Sequence, residues 1–284
     1  MLAPFATLYK CTDMTSSSPV VTQKVAVITG GGTGIGAAIA MRLAALGWRV
    51  IVGGRTLANL QQVVAAIRAA GGQAEAVVCD VTVASEVQAL VDAAGPTLDA
   101  LIHSAGIGHC LTLDEIDEAE FRRTLEVAVM GAFLSSQAAL PRLRQTQNGC
   151  GHIVQICSLA SGGTWFREVG YGTAKAAQLK FTLHLAAQMA EDAAAGGRLI
   201  HTHAICPGTV DTPFWARIPE RPIDPTQSLS ADEVAWLVVT RIQYPDATAQ
   251  ALSIIKPRSA IVIKPHAPFE AWPNVIAIAH ESHP

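Results

Sequence analysis

Hydrophobic positions in this 284-residue chain follow two alternating patterns. Short runs rich in apolar residues, some unbroken and some punctuated by polar ones, occupy 25–29, 49–55, 74–80, 98–106, 151–158, 198–205 and 260–263. Between them, apolar residues recur every three or four positions, over 37–46, 57–70, 83–94, 114–140 and 171–195. The first pattern predicts strands buried on both faces, and the second predicts helices with one apolar side. The 114–140 segment reads as one long helix bounded by Pro141. Regular strand–helix alternation requires right-handed crossovers. The expected fold is therefore α/β: a single doubly wound parallel sheet of about seven strands with helices on both faces.

The first run leads straight into glycines, V-A-V-I-T-G-G-G-T-G-I-G from Val25 to Gly36. Strand, tight turn and helix follow without a spacer. Glycine lets bare backbone approach a ligand phosphate, and the helix N-terminus then points free N–H groups at that anion. Gly30, Gly34 and Gly36 are spaced T-G-x-x-x-G-x-G, wider than the common G-x-G-x-x-G dinucleotide fingerprint. Where a carboxylate for a ribose 2′-hydroxyl belongs, at the end of the second strand, the residues are Gly53, Gly54, Arg55 and Thr56. Arg55 either pairs with a 2′-phosphate or is a solvated strand-end arginine, but the missing acid favours NADP(H) over NAD(H). Asp80 either accepts from an adenine amino group or closes a turn. Tyr171 and Lys175 form Y-G-T-A-K at the start of a helix, on one face at i, i+4 spacing, and Ser158 ends the preceding strand.

Composition narrows the class. Half of the residues are hydrophobic and the net charge is -3, with no run of basic residues, which suggests a small-molecule partner rather than nucleic acid or membrane. Six scattered cysteines lack C-x-x-C spacing and read as reduced core residues of a cytoplasmic protein, with no metal site expected. Residues 1–22 read as a flexible N-terminal extension, in which Met14 is a possible start. Residues 23–265 read as one domain. Eleven of the fifteen prolines lie from Pro207 onward, so 207–258 is expected to form a loop or lid over the carboxyl edge of the sheet. Residues 266–284, including Trp272, form a tail.

These motifs together resemble the short-chain dehydrogenase/reductase family. The shared features are Thr29 to Gly36, Ser158 with Tyr171 and Lys175 as Y-x-x-x-K, and a P-G turn with a following threonine (Pro207, Gly208, Thr212). The resemblance covers roughly 24–213 and implies a Rossmann-type fold carrying out hydride transfer between a nicotinamide and an alcohol or carbonyl. It implies Tyr171 as acid/base, Lys175 on the nicotinamide ribose lowering the tyrosine pKa, and Ser158 on the substrate oxygen. It further implies a cofactor groove made by Thr29, Gly30, Gly32, Thr33, Gly34, Ile35, Gly36, Arg55, Asp80, Val81, Ser104, Ala105, Gly106, Tyr171, Lys175, Pro207, Gly208, Val210 and Thr212. Bringing a phenol from about 10 toward 7 requires about 4 kcal/mol. An ammonium ~4–5 Å away, at an effective dielectric near 20, supplies on the order of 3–4 kcal/mol.

The chain departs from the family in three places. His103 replaces the first asparagine of N-N-A-G and reads as a hydrogen-bonded structural substitute. Ala128 stands in A-V-M-G-A-F where N-x-x-G-x-F is usual, which bears on proton resupply and predicts a slower enzyme. No D-G-G follows the last strand. Trp165, Phe166, Phe214 and Trp215 flank the presumed mouth; they either favour a small apolar or aromatic carbonyl substrate or pack a lid or subunit contact. The alanine-rich face of 174–187 permits a homodimer or homotetramer. Two functions follow: an NADP(H)-dependent carbonyl reductase or alcohol dehydrogenase, or a catalytically weak nucleotide-binding sensor or scaffold.

Overall fold

The computed structural model describes residues 22–218, 223–224, 226–245, 251–255, 262–265 and 276–277. The first 21 residues, with Cys11 and Met14, and nearly all of the 266–284 tail lie outside them. Strands β1 (Val25–Thr29), β2 (Arg49–Gly54) and β3 (Gln73–Val78) alternate with helices α1 (Gly34–Ala45) and α2 (Leu57–Ala69). Helix α3 (Ala84–Asp92), strand β4 (Ala100–His103), helix α4 (Glu118–Leu125), a π-helical turn (Glu126–Met130) and helix α5 (Gly131–Leu143) follow. Then come β5 (Gly151–Ile156), α6 (Val169–Ala194), β6 (Ile200–Pro207), the short β7 (Val210–Asp211) and β8 (Leu229–Ser230), and α7 (Ala231–Gln243). The chain closes with β9 (Ala251–Ile255), β10 (Val262–Pro265) and β11 (Ile276–Ala277).

Seven strands form a parallel sheet in the order β3-β2-β1-β4-β5-β6-β9, and β10 and β11 extend it antiparallel. The chain first winds from β1 toward β3, then returns to place β4 on the other side of β1. This reversal between β1 and β4 opens a crevice at the carboxyl ends of the strands. Alternate strand residues feed two cores. Ala26, Ile28, Val50, Val52 and Val154 face α1, α2 and α7, while Val27, Ile51, Leu101 and Ile153 face α3, α5 and α6. Both faces being apolar explains why these strands read as apolar runs.

Four expectations need correction. The long fourth helix begins at Glu118, because Asp117 caps it by accepting from the Glu120 amide at 2.8 Å. It continues past Pro141 to Leu143, interrupted by the π turn. The proline removes a bond to the carbonyl of Gln137, an exposed residue, so water can satisfy that group. The 207–258 segment is not all lid, since α7 packs against α1 and β9 is the seventh parallel strand. A serine–glutamate capping box starts α7, with Ser230 Oγ accepting from the Glu233 amide at 3.1 Å. The strand expected at 260–263 is Val262–Pro265 and runs antiparallel, because the few residues between β9 and β10 are too short for a helical crossover.

Among the described residues no helix is long and apolar enough to cross a membrane. The five described cysteines are free thiols. At the amino ends of β5 and β6, the rings of His152, His201 and His203 stack at 5.6 and 6.1 Å. Burial, reinforced by His201 and His203, pulls His152 well below the usual histidine range. Burial, with the Lys175 cation, pushes His103 down to about 3. Both stay neutral in the fold while the unfolded chain binds protons below about pH 6.5, so stability is full above that pH and is lost as pH falls toward the folded values. Melting temperature should therefore be flat above about pH 7 and decline between about pH 6.5 and 5, at up to about 1.4 kcal/mol per pH unit for each such histidine. His152→Phe should flatten the decline; a level profile in the unsubstituted protein would refute the assignment.

Candidate active site

The turn between β1 and α1 is shaped by backbone contact. Gly30 has φ +64°, and a Cβ there would lie 2.8 Å from the Ala105 amide nitrogen. A Cβ on Gly36 would stand 2.3 Å from the Gly30 carbonyl oxygen. Helix, turn and the β4 loop thus close on one another with no room for side chains. Thr29 fixes the junction: its Oγ1 accepts from the Ser104 and Ala105 amides at 3.2 Å and bonds to His103 Nδ1 at 3.1 Å. Thr29 and Gly36 therefore shape the groove from behind without lining it. Thr33 precedes α1 without a side-chain cap, and the first turn carries no acid, which leaves N–H groups for an anion.

A cavity of about 390 Å³ follows the carboxyl edge from Arg55 to Lys175. Gly30, Gly32, Thr33, Gly34 and Ile35 form its floor, and Asp80, Val81, Ser104, Ala105 and Gly106 one wall. Ser158, Tyr171, Lys175, Pro207, Gly208, Val210 and Thr212 close the far end. Arg55 is exposed at the cavity's other end, and among the described residues no carboxylate pairs with it. Asp80 closes a turn: one oxygen accepts from the Thr82 amide and hydroxyl (3.0 and 2.7 Å), the other from Arg123 at 2.8 Å. Partial burial raises its pKa, but these bonds outweigh that and hold it at about 2. The sequence reading missed Asn59, Leu60, Ile107, Gly108 and Arg123, which also line the cavity. Asn59 stands four residues past Arg55, a spacing that was open to inspection.

Ser158 directly follows β5 and caps a short 3-10 turn, its Oγ accepting from the Ala160 amide at 3.1 Å. Tyr171 and Lys175 lie in the first two turns of α6, with Lys175 Nζ 6.0 Å from the Tyr171 ring centre. Lys175 is 5% exposed, and its ammonium donates to the Ile156 carbonyl at 2.9 Å and to Gln178 Oε1 at 2.8 Å. Burial pulls this ammonium below the usual lysine range, while Cys157 and Cys206 oppose the shift. His103, with Nδ1 also 3.3 Å from Ser135 Oγ, has the structural role expected of it. Ala128 is buried in the π turn.

The four aromatic residues do not share one location. The Phe214 ring centre lies 5.9 Å from that of Tyr171, and its ring sits where a side chain on Gly108 would be. Trp215 also lines the cavity, and its Nε1 donates to the Val210 carbonyl at 2.7 Å, which anchors the turn carrying Phe214. Trp165 and Phe166 are 44% and 82% exposed and do not line the cavity. Arg167 ties their loop back toward Cys110 and Glu115 (3.1 and 2.8 Å), leaving both aromatics outside.

Fold and site together define an α/β oxidoreductase built around a dinucleotide groove. Residues 24–222 match the family model described as short chain dehydrogenase. The chain is 36% identical over 246 residues to the short-chain reductase protein NovJ of Streptomyces niveus, covering 86% of this chain and 90% of NovJ. It superposes on an actinorhodin polyketide ketoreductase variant crystallised with NADPH, at TM-score 0.73 and 28% identity over 81% of this chain and 95% of that one. It also superposes on the 3-ketoacyl-(acyl-carrier-protein) reductase of Brucella melitensis crystallised with NADH, at TM-score 0.73 and 26% identity over 83% and 98% of the two chains. The chain belongs to the short-chain dehydrogenase/reductase family, oxidoreductases that act on alcohol and carbonyl groups of small molecules.

The steric reading of the turn can be checked directly. Gly36→Ala should cost at least about 2–3 kcal/mol and abolish nucleotide binding, because the clash is with backbone. Gly47→Ala, where φ is +83° but nothing lies within 4 Å, should cost about 1–2 kcal/mol and leave binding intact. Chemical denaturation with NADPH fluorescence titration measures both; equal losses of binding would remove the distinction.

Proposed function

We propose that this protein is an NADP(H)-preferring carbonyl reductase or alcohol dehydrogenase, with residues 23–265 as its catalytic domain. The observation that carries the proposal is the convergence of Ser158, Tyr171 and Lys175 on the cavity whose floor is the β1–α1 glycine turn. The groove fits a dinucleotide: bare backbone where a Cβ would clash, an uncapped helix N-terminus and an arginine at the far end. Gly30 to Ile35 would hold its phosphates, and Lys175, from the wall, its nicotinamide ribose. When bound, the nicotinamide supplies or accepts hydride.

The protein's own part is proton transfer and orientation. Tyr171 donates its phenolic proton to the substrate oxygen in reduction and retrieves it in oxidation, so charge does not build up on that oxygen. Lys175, cationic and close, favours the phenolate form. Ser158 holds the substrate oxygen in line. Arg55 offers its donor fork to a 2′-phosphate, and no neighbouring acid opposes that charge. Phe214 and Trp215 form an apolar wall near Tyr171, which suits a small apolar or aromatic carbonyl. Free thiols suit the reducing cytoplasm. Exposed Met130, at the end of the π turn, and Phe133 on α5 offer an apolar surface for a homodimer or homotetramer. A sensor or scaffold is the second reading, favoured by the buried Ala128, which cannot hydrogen-bond through its side chain.

Purified protein should oxidise NADPH only when supplied with certain ketones, aldehydes or quinones, and Tyr171→Phe should lower that rate by about 10²–10⁴-fold. Nucleotide binding with no carbonyl-dependent oxidation would favour the sensor. Arg55→Ala should raise KM for NADPH by about 10–100-fold, the loss of one charge-assisted contact, and leave KM for NADH nearly unchanged. Equal effects on the two nucleotides would remove Arg55 from 2′-phosphate recognition.

A further inference from the structure

Behind the cavity, a file of amides runs from Lys175 into the core. Gln178 lies one turn further along α6 and on the same face, and its Oε1 accepts from Nζ at 2.8 Å. Gln178 Nε2 donates to Gln155 Oε1 at 3.2 Å, and Gln155 Nε2 donates to Ser136 Oγ at 3.2 Å. Gln155 and Gln178 are wholly buried, and Ser136 is 4% exposed. An ammonium can only donate, so it fixes the first amide with its oxygen toward Nζ. Gln178 must then present nitrogen to Gln155, which fixes the second amide in the same sense. The two carbonyl dipoles align head to tail, with their negative ends toward the cation.

The titratable groups facing Lys175 from the surrounding elements are the Cys157 and Cys206 thiols beyond β5 and within β6, His103 on β4, and Tyr171 on its own helix. None of them is a carboxylate. Burial without a carboxylate counter-ion drives an amine toward its neutral form, and a neutral amine would no longer favour the Tyr171 phenolate. Of the two thiols, burial pushes Cys206 well above the usual range, whereas Cys157, against burial, is held below it by its bond to Cys206 and by the ammonium; together they offset only part of the effect of burial on Lys175. The acceptors left are the Ile156 carbonyl and the Gln178 amide. The third Nζ proton remains for the cavity that Lys175 lines.

We propose that Gln178, held in place by Gln155, is a positioning residue that keeps the buried Lys175 ammonium charged and aimed at the cavity. This rests on the acid/base reading of Tyr171 given above. Sequence patterns did not point to it, because a glutamine three residues after a lysine on an alanine-rich helix reads as an ordinary polar position.

The test is Gln178→Met, which keeps the length and removes the acceptor, alongside Gln155→Met. The chain has three tyrosines, so the phenolate ultraviolet titration of each protein minus that of its Tyr171→Phe counterpart isolates Tyr171 without any substrate. The midpoint should rise by about one pH unit in Gln178→Met, and by less in Gln155→Met, relative to the parent. The acid limb of kcat/KM for alcohol oxidation should rise with it, about a tenfold loss of kcat/KM on the acid side of that limb. A midpoint unmoved in both variants overturns the inference, and so does a variant that only melts earlier with its midpoint unchanged. A midpoint that moves in a protein with no turnover supports the positioning role and places the failure in the proposed reaction instead.

Discussion

One ammonium ion, buried at the carboxyl edge of a parallel sheet, is the constraint around which the site is built. A cation removed from water must be met by oriented oxygens, and the fold supplies them from two elements that cannot move independently. The Ile156 carbonyl comes from the last residue of β5, beyond which the strand gives way to the 3-10 turn capped by Ser158. The Gln178 carbonyl comes from α6, whose first two turns carry Tyr171 and Lys175. Strand end, capped turn and helix start therefore share one polar junction, so the spacing of the three side chains follows from packing that would be needed to bury the lysine in any case.

The opposite end of the groove obeys a different rule. No charge is buried there, and the demand is for proximity of backbone to backbone. The contacts between Gly30 and the Ala105 loop, and between Gly36 and Gly30, bring the β1 and β4 turns together at the point where the sheet reverses its winding. Thr29 then spends its hydroxyl on two amides and His103, so an imidazole takes over a polar task at the turn without acquiring charge. A dinucleotide in this groove would span from steric precision at one end to electrostatic precision at the other.

How much of this is legible in the chain depends on the range of the interaction. Strands β1, β2 and β4 announce themselves because each is buried on both faces and needs apolar residues on both, a demand written locally. The glycine turn and the Tyr171–Lys175 pair are legible for the same reason, since turn sterics and helical spacing act within a few residues. Helix α7 and strand β9 were hidden by the prolines around them, although the Ser230–Glu233 capping box is itself a local signal. The place of Trp165 and Phe166 outside the cavity is not written locally, because their loop is tied by Arg167 reaching Glu115, more than fifty residues away. Gln155, Gln178 and Ser136 come from β5, α6 and α5, and only the fold places them in line.

That difference bears on the meaning of Ala128. Read along the sequence, a methyl group in place of an amide looks like a missing part of a proton path. In the fold, Lys175 has its polar partners in Ile156 and Gln178, and Ala128 sits within a π turn of its own. Two functions that a single side chain would combine, solvating the lysine and connecting it to water, are separable here. The buried amide file accounts for the first. Its far end at Ser136 is buried, whereas Lys175 itself lines the cavity, so the cavity is the more direct way for a proton to return to Lys175.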